Sequence, residues 1–199
     1  MTEQIIFLFA SNNKHKATEI NSVLGARFRI VTLEEAGIAI DIPEPHPTIP
    51  ENAAEKSSVI HRLTGRNCFG EDTGLEVEAL GGAPGVKSAR FAGEKATAAE
   101  NLLKLQELMK EQTNRNARFV TYISLQLNGQ HFLFSGICKG RIAEVSSGSA
   151  GFGYDPIFIP EGSNRSFASM SIEEKNIYSH RKKAVAEMVS FLEQYYTTC

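Results

Sequence analysis

The chain has 199 residues, of which 42% are hydrophobic and 22% charged, and its formal net charge is -2. This length and balance fit one domain or two closely joined lobes and exclude disordered, collagen-like and coiled-coil classes. The slight acidic excess argues against a general duplex-nucleic-acid binder but leaves room for a polyanionic small molecule held by a local cationic cluster.

Residues 5–10 are a continuous apolar run, which predicts a strand buried on both faces. The run is too short to cross a bilayer and lacks the basic flank of a signal peptide, so a cytoplasmic protein without membrane partners is expected. A polar loop, 11–16, leads into a helix marked by Ala17, Ile20, Val23 and Leu24. A second strand is expected over 28–33. Four of the seven prolines fall within 41–50, which predicts a stiff, extended connection containing neither helix nor central strand. A helix then starts at Glu51, with Ala53, Ile60 and Leu63 on its apolar side. Residues 68–70 read as a short strand ending at Glu71-Asp72-Thr73-Gly74, and 75–80 as a further strand. Gly81-Gly82-Ala83-Pro84-Gly85 is a turn. Residues 96–110 form a helix whose apolar side includes Ala99, Leu102, Leu103, Leu105 and Leu108. Two strands, 117–127 and 131–139, meet at Asn128-Gly129, a strong hairpin signal. Residues 147–154 are a glycine-rich loop. Ser171 and Glu174 make a capping box for a short helix, and a last helix over 179–196 buries Val185, Met188, Val189 and Leu192. Interleaved helices and strands with one long hairpin predict an α/β fold with a mixed sheet. Cys68, Cys138 and Cys199 are odd in number, fit no paired metal spacing and read as reduced thiols.

Five segments carry groups suited to chemistry, and each also has an ordinary structural reading. Ser11-Asn12-Asn13-Lys14-His15-Lys16 opens a helix, where free amide groups attract anions, although it lacks the glycines of a Walker loop; otherwise it is a solvated turn. Glu71-Asp72 at a strand end suits Mg²⁺, which takes one or two carboxylates and substrate phosphate oxygens; otherwise it is an acidic turn. Glu44 is a second carboxylate, held among prolines, or a charged linker residue. Phe152 and Tyr154, set between glycines, suit stacking on a base or a packed turn. Lys175, His180 and Arg181 gather positive groups near a helix start and suit an anionic or hydrogen-bond-accepting ligand, or a solvated basic helix end.

In this order the segments resemble the inosine/xanthosine triphosphate pyrophosphatases, a family that clears deaminated purine nucleotides. The matching blocks are Phe9-Ala10-Ser11-Asn12-Asn13-Lys14-His15-Lys16, Glu51-Asn52-Ala53 with Lys56, and Glu71-Asp72-Thr73-Gly74-Leu75. They continue with Leu80-Gly81-Gly82-Ala83-Pro84-Gly85, Ser88-Ala89-Arg90-Phe91-Ala92-Gly93, Gly151-Phe152-Gly153-Tyr154-Asp155-Pro156, and Lys175 with Ser179-His180-Arg181. The resemblance implies an elongated α/β domain spanning the chain, with a long mixed sheet, flanking helices, two lobes and a central cleft. It also implies a homodimer, dependence on one or more Mg²⁺ ions (Mn²⁺ as a substitute), and hydrolysis of ITP, dITP or XTP to monophosphate and pyrophosphate. By position, Ser11, Asn12, Asn13, Lys14, His15 and Lys16 would bind the triphosphate, and Lys56 would add catalytic charge. Asp72 would be the acid/base and a metal ligand, and Glu44 a second metal carboxylate. Thr73 stands where the family often has Ser. Phe152, Gly153, Tyr154 and Asp155 would form the base pocket, with Lys175, His180 and Arg181 at the base edge. Two positions depart from the pattern: Lys87 stands where an aromatic is common and Ser169 where an acid is common. The rival readings are a pyrophosphatase for pyrimidine or modified nucleotides, a catalytically idle nucleotide sensor, and a single-strand nucleic-acid binder using Phe152 and Tyr154.

Overall fold

The computed structural model describes residues 4–198, so Cys199 lies outside the described residues. β1 (Ile5–Phe9) is the apolar run expected as a strand. Its faces go to two cores: Phe7 and Phe9 join Ile20, Phe69 and Leu125, while Leu8 joins Leu33, Ile60 and Cys68. A run without polar alternation needs cover on both sides, and it has it. α1 (Lys14–Asn21) follows. β2 (Phe28–Thr32) pairs parallel with β1, and after α2 (Ile49–Thr64) the chain returns as β3 (Cys68–Val77), also parallel to β1. β4 (Pro84–Gly85) lies antiparallel on β3. α3 (Ala98–Met109), β5 (Asn116–Leu127), β6 (Gln130–Ile142), β7 (Phe158–Pro160), α4 (Ile172–Tyr178) and α5 (His180–Thr198) complete the order. The mixed sheet runs β2-β1-β3-β5-β6-β7, and β7 is antiparallel to β6.

The chain divides into two compact units. Unit 1 holds the residues up to Asp72, Thr121–Gly136 and those from Arg181 onward. Its main core sets α1 and the buried face of α5 (Ala184, Val185, Met188, Leu192) against β1, β2 and β5. α2 is tied to this sheet through Ser57 Oγ, 2.6 Å from Ser124 Oγ, which lies 2.7 Å from His131 Nε2. Unit 2 holds Thr73–Val120 and Ile137–His180. Its core gathers Leu75, Leu105, Met109, Phe119, Ile142, Phe158 and Phe167. Cys68 and Cys138 are buried and form no disulfide among the described residues, and burial pushes the Cys68 thiol up to about 12, which makes it an inert packing residue.

Several elements differ from expectation. α2 begins at Ile49 and includes Pro50, because the first helical turn needs no amide hydrogen from that residue. The two short strands expected around Glu71-Asp72-Thr73-Gly74 are one ten-residue strand, with a 3-10 turn at Glu78–Leu80. The acidic pair therefore lies inside β3, where cations neutralise it. On α3, Leu105 and Met109 are buried with Asn101, while Leu103 and Leu108 are exposed, so the inward face is offset from the expected leucine row. The Asn128-Gly129 hairpin forms as expected, with both residues at positive φ. The capping box of Ser171 and Glu174 is also formed.

Candidate active site

In unit 1 a cluster of acids and bases gathers around the first half of β3. Lys56, on α2, is buried, and its Nζ lies 2.8 Å from Asp72 Oδ1, 2.5 Å from Glu44 Oε1 and 3.2 Å from the carbonyl of Glu71. α2 reaches this position because Gly70 has no side chain. A Cβ there would collide with the carbonyl of Ala53, the Cβ of Lys56 and the amide of Ser57. Burial opposes the charge on Lys56 most strongly, but Asp72 and Glu44 together outweigh it and hold the ammonium charged. Burial likewise dominates at Asp72 and raises its carboxyl above the ordinary value, against the opposing pull of Lys56 and Lys16.

Beside this pair, Glu71 is wholly buried. Its carboxylate meets Lys16 Nζ at 2.5 Å and Arg181 Nη2 at 3.1 Å, and Arg181 also binds Glu19. The acidic pair Glu71-Asp72 is expected from the sequence as a candidate for Mg²⁺, and in the structure the Glu71 carboxylate meets cations instead. Nothing in the sequence around Glu19 marks it as the partner of a residue 162 positions away.

The polar loop of residues 11–16 uses part of its polarity on itself. Asn13 caps α1, its Oδ1 accepting from the amide of Lys16 at 3.0 Å, and Ser11 Oγ accepts from the amide of Asn13. Asn12 Oδ1 accepts from the amide of Glu34 at 2.7 Å. The remaining amides at this helix start and the side chains of Lys14, His15 and Lys16 are what the loop offers an anion. Lys14 is highly exposed and only loosely paired with Glu34, at 3.7 Å.

Unit 2 holds the aromatic group. Lys175 Nζ lies 2.6 Å from Asp155 Oδ2, 5.5 Å from the Phe152 ring centroid and 5.1 Å from that of Phe167. Asp155 Oδ2 also accepts from the amide of Phe152, and Gly151, at positive φ, leaves room for that carboxylate. Gly153, also at positive φ, completes the turn between Phe152 and Tyr154. Tyr154 corrects an expectation: it is a core residue whose hydroxyl donates to the carbonyl of Ser88 at 2.8 Å, which removes it as a stacking platform. His180 is buried and stacks on Phe119 with centroids 4.6 Å apart. Arg181 belongs to unit 1, where it meets Glu71 and Glu19, and Lys175 and His180 belong to unit 2. Thr73 is the first residue of β3 in unit 2. Of the two departures, Lys87 is exposed, and Ser169 joins Ser147 and Ser166 in a hydroxyl cluster.

Glu44 and Asp72 are the residues suited to a divalent ion. Asp72 Oδ1 takes Lys56, while Oδ2 is buried with no hydrogen-bond partner among the described residues. A buried carboxylate oxygen of this kind is costly without a donor or a cation beside it, and so suits a divalent ion. No group of three or more His, Cys, Asp and Glu among the described residues is arranged to hold a metal. Two carboxylates fit an ion that completes its shell with water and substrate oxygens.

A model of the Ham1 family matches residues 7–191. The chain is 46% identical to a dITP/XTP pyrophosphatase of Flavobacterium johnsoniae over 93% of its length and 96% of that protein. It is 49% identical to one of Porphyromonas gingivalis, with the same coverage of each. Among solved structures, the Ham1 protein of Staphylococcus aureus superposes with a TM-score of 0.86 at 34% identity, covering 96% of this chain and 100% of that one. A nucleoside-triphosphatase / dITP/XTP pyrophosphatase of Mycobacterium abscessus gives 0.74 at 35% identity, covering 93% and 99%.

Proposed function

The chain belongs to the Ham1 family, and on that premise we propose how its residues hydrolyse deaminated purine nucleoside triphosphates (ITP, dITP and XTP) to monophosphate and pyrophosphate. The observation that carries the chemistry is Lys56 held between Glu44 and Asp72, with one Asp72 oxygen buried and unspent. In unit 1, Lys16, Lys56 and Arg181 face Glu19, Glu44, Glu71 and Asp72, so the cations are already neutralised. A bare triphosphate would compete with those carboxylates. Mg²⁺, or Mn²⁺ in its place, held by Glu44 and Asp72 would reverse that balance, and when bound it supplies positive charge to phosphate oxygens and acidity to a bound water. Lys16, Lys14, His15 and the amides at the start of α1 would bind the phosphates. Asp72 would orient the attacking water and take its proton at Oδ2, and Lys56 would keep Oδ1 fixed.

In unit 2, Phe152 would stack on the base while Gly153 and Asp155 shape the pocket, and Thr73 would offer a hydroxyl to substrate. Lys175 donates only, which suits the 6-oxygen of hypoxanthine or xanthine and leaves it facing another donor with adenine. His180 would support the same edge. Arg181 would hold the Glu71 carboxylate beside Asp72. No helix of the described residues is long and apolar enough to cross a membrane; a cytoplasmic homodimer is the assembly we propose.

The test is product identity by phosphorus NMR with ITP. Monophosphate and pyrophosphate are expected. Diphosphate and inorganic phosphate would mean attack at the terminal phosphorus and a different arrangement of substrate against Asp72.

A further inference from the structure

Glu44 sits in a segment with little means of holding itself in place. Pro43, Pro45 and Pro47 have no amide hydrogen to donate, and residues 41–47 belong to no helix or strand. Exposure alternates along the segment. The prolines face out, while Ile42, Glu44 and His46 are half-buried. An extended backbone therefore puts these three side chains on one side. Ile42 is anchored by packing on the core of Leu8, Leu33, Ile60 and Cys68. The other flank is anchored at His46 by one side chain from the first turns of α2. Asn52 Oδ1 accepts from the amide of His46 at 3.0 Å, and Asn52 Nδ2 donates to its carbonyl at 3.1 Å. Asn52 is wholly buried. Its carboxamide thus pairs with one residue's backbone as a neighbouring strand would.

We propose that Asn52 is a positioning residue for the divalent ion. By clamping the backbone two residues beyond Glu44, it fixes the Glu44 carboxylate where Lys56 and Asp72 meet it. This rests on the reading of Glu44 and Asp72 as metal carboxylates. Asn52 lies one helical turn before Lys56, so the same first part of α2 sets both the lysine and the loop that carries its partner. Residues that orient a metal ligand without touching the metal are typically worth about 10–100-fold in affinity.

The experiment measures Mn²⁺ binding alone, by titration calorimetry and by loss of the free-ion EPR signal, in the full chain and four variants. Asn52→Ala removes the clamp. His46→Pro removes the amide it accepts from and leaves Asn52 in place, so it decides the matter if Asn52→Ala does not fold. His46→Ala keeps the backbone bonds and loses only the 3.5 Å contact of the imidazole with Glu55. Glu44→Gln tests the ligand itself. The expected result is Mn²⁺ affinity about tenfold weaker or more in Asn52→Ala, His46→Pro and Glu44→Gln, with His46→Ala unchanged. The half-saturating Mg²⁺ for turnover should rise in Asn52→Ala while kcat recovers at saturating Mg²⁺, a rescue that a merely structural loss would not show. Wild-type Mn²⁺ affinity in both clamp variants, with Glu44→Gln weakened, overturns the role of Asn52. Wild-type affinity in Glu44→Gln overturns the metal reading of Glu44, and the clamp's purpose with it.

Discussion

Asp72 carries its charge where burial opposes one, and Lys56 and Lys16 only partly compensate. Its folded carboxyl therefore holds a proton more tightly than the unfolded one. Stability from this group is present below the ordinary aspartate range and declines as pH rises through the folded value. Asp72 is also one of the two carboxylates that hold the buried Lys56 ammonium charged, so Asp72→Asn is expected to lower the melting temperature of the metal-free protein at pH 7 and to lower kcat by about 10²–10⁴-fold. It should also lose much of the stabilisation that Mg²⁺ gives the wild type. Intact turnover would remove Asp72 from the role given to it. Why Glu71, Asp72 and Lys56 are legible in the sequence while Glu19 is not is a matter of reach. The first three stand in motifs whose order along the chain carries information. Glu19 acts through Arg181, as Glu71 also does, and that contact exists only once α1, β3 and α5 are packed.

At the scale of elements, α2 and β3 lie in backbone contact at Gly70, and this approach delivers Lys56 to Asp72. Gly70→Val would place a branched side chain against the backbone of Ala53 and Ser57 and push the helix off the strand. It is expected to lower stability by about 1–3 kcal/mol and to reduce kcat as the Lys56 ammonium withdraws, measured by denaturant unfolding and by initial rates. Full activity would mean that Lys56 does not depend on helix position. Turns and caps were readable because they rest on local chemistry, as at Asn128-Gly129 and Ser171 with Glu174. β3 was misread as two strands because Glu71, Asp72 and Gly74 are poor strand residues by local preference. Burial with Lys16, Lys56 and Arg181 overrides that preference. The α3 leucines misled for the converse reason: Asn101 takes an inward position by bonding the carbonyl of Ala89 and the amide of Ala92, which turns Leu103 and Leu108 outward.

Across the whole molecule, the family is written in the order of short polar blocks along nearly the full length, and that order was legible. The division of the groups was not. His180 and Arg181 are adjacent in sequence, yet one stacks in the core of unit 2 and the other is buried among the carboxylates of unit 1. Adjacency in the chain predicts neither partner. The most direct test is pyrophosphate release from ITP, dITP, XTP, ATP and GTP, each with Mg²⁺ and with EDTA. Rapid release from the first three, nearly none from ATP and GTP, and loss of all release in EDTA are the expected results. Equal hydrolysis of ATP and ITP, or release that persists in EDTA, would contradict the account of base selection or of the divalent ion respectively.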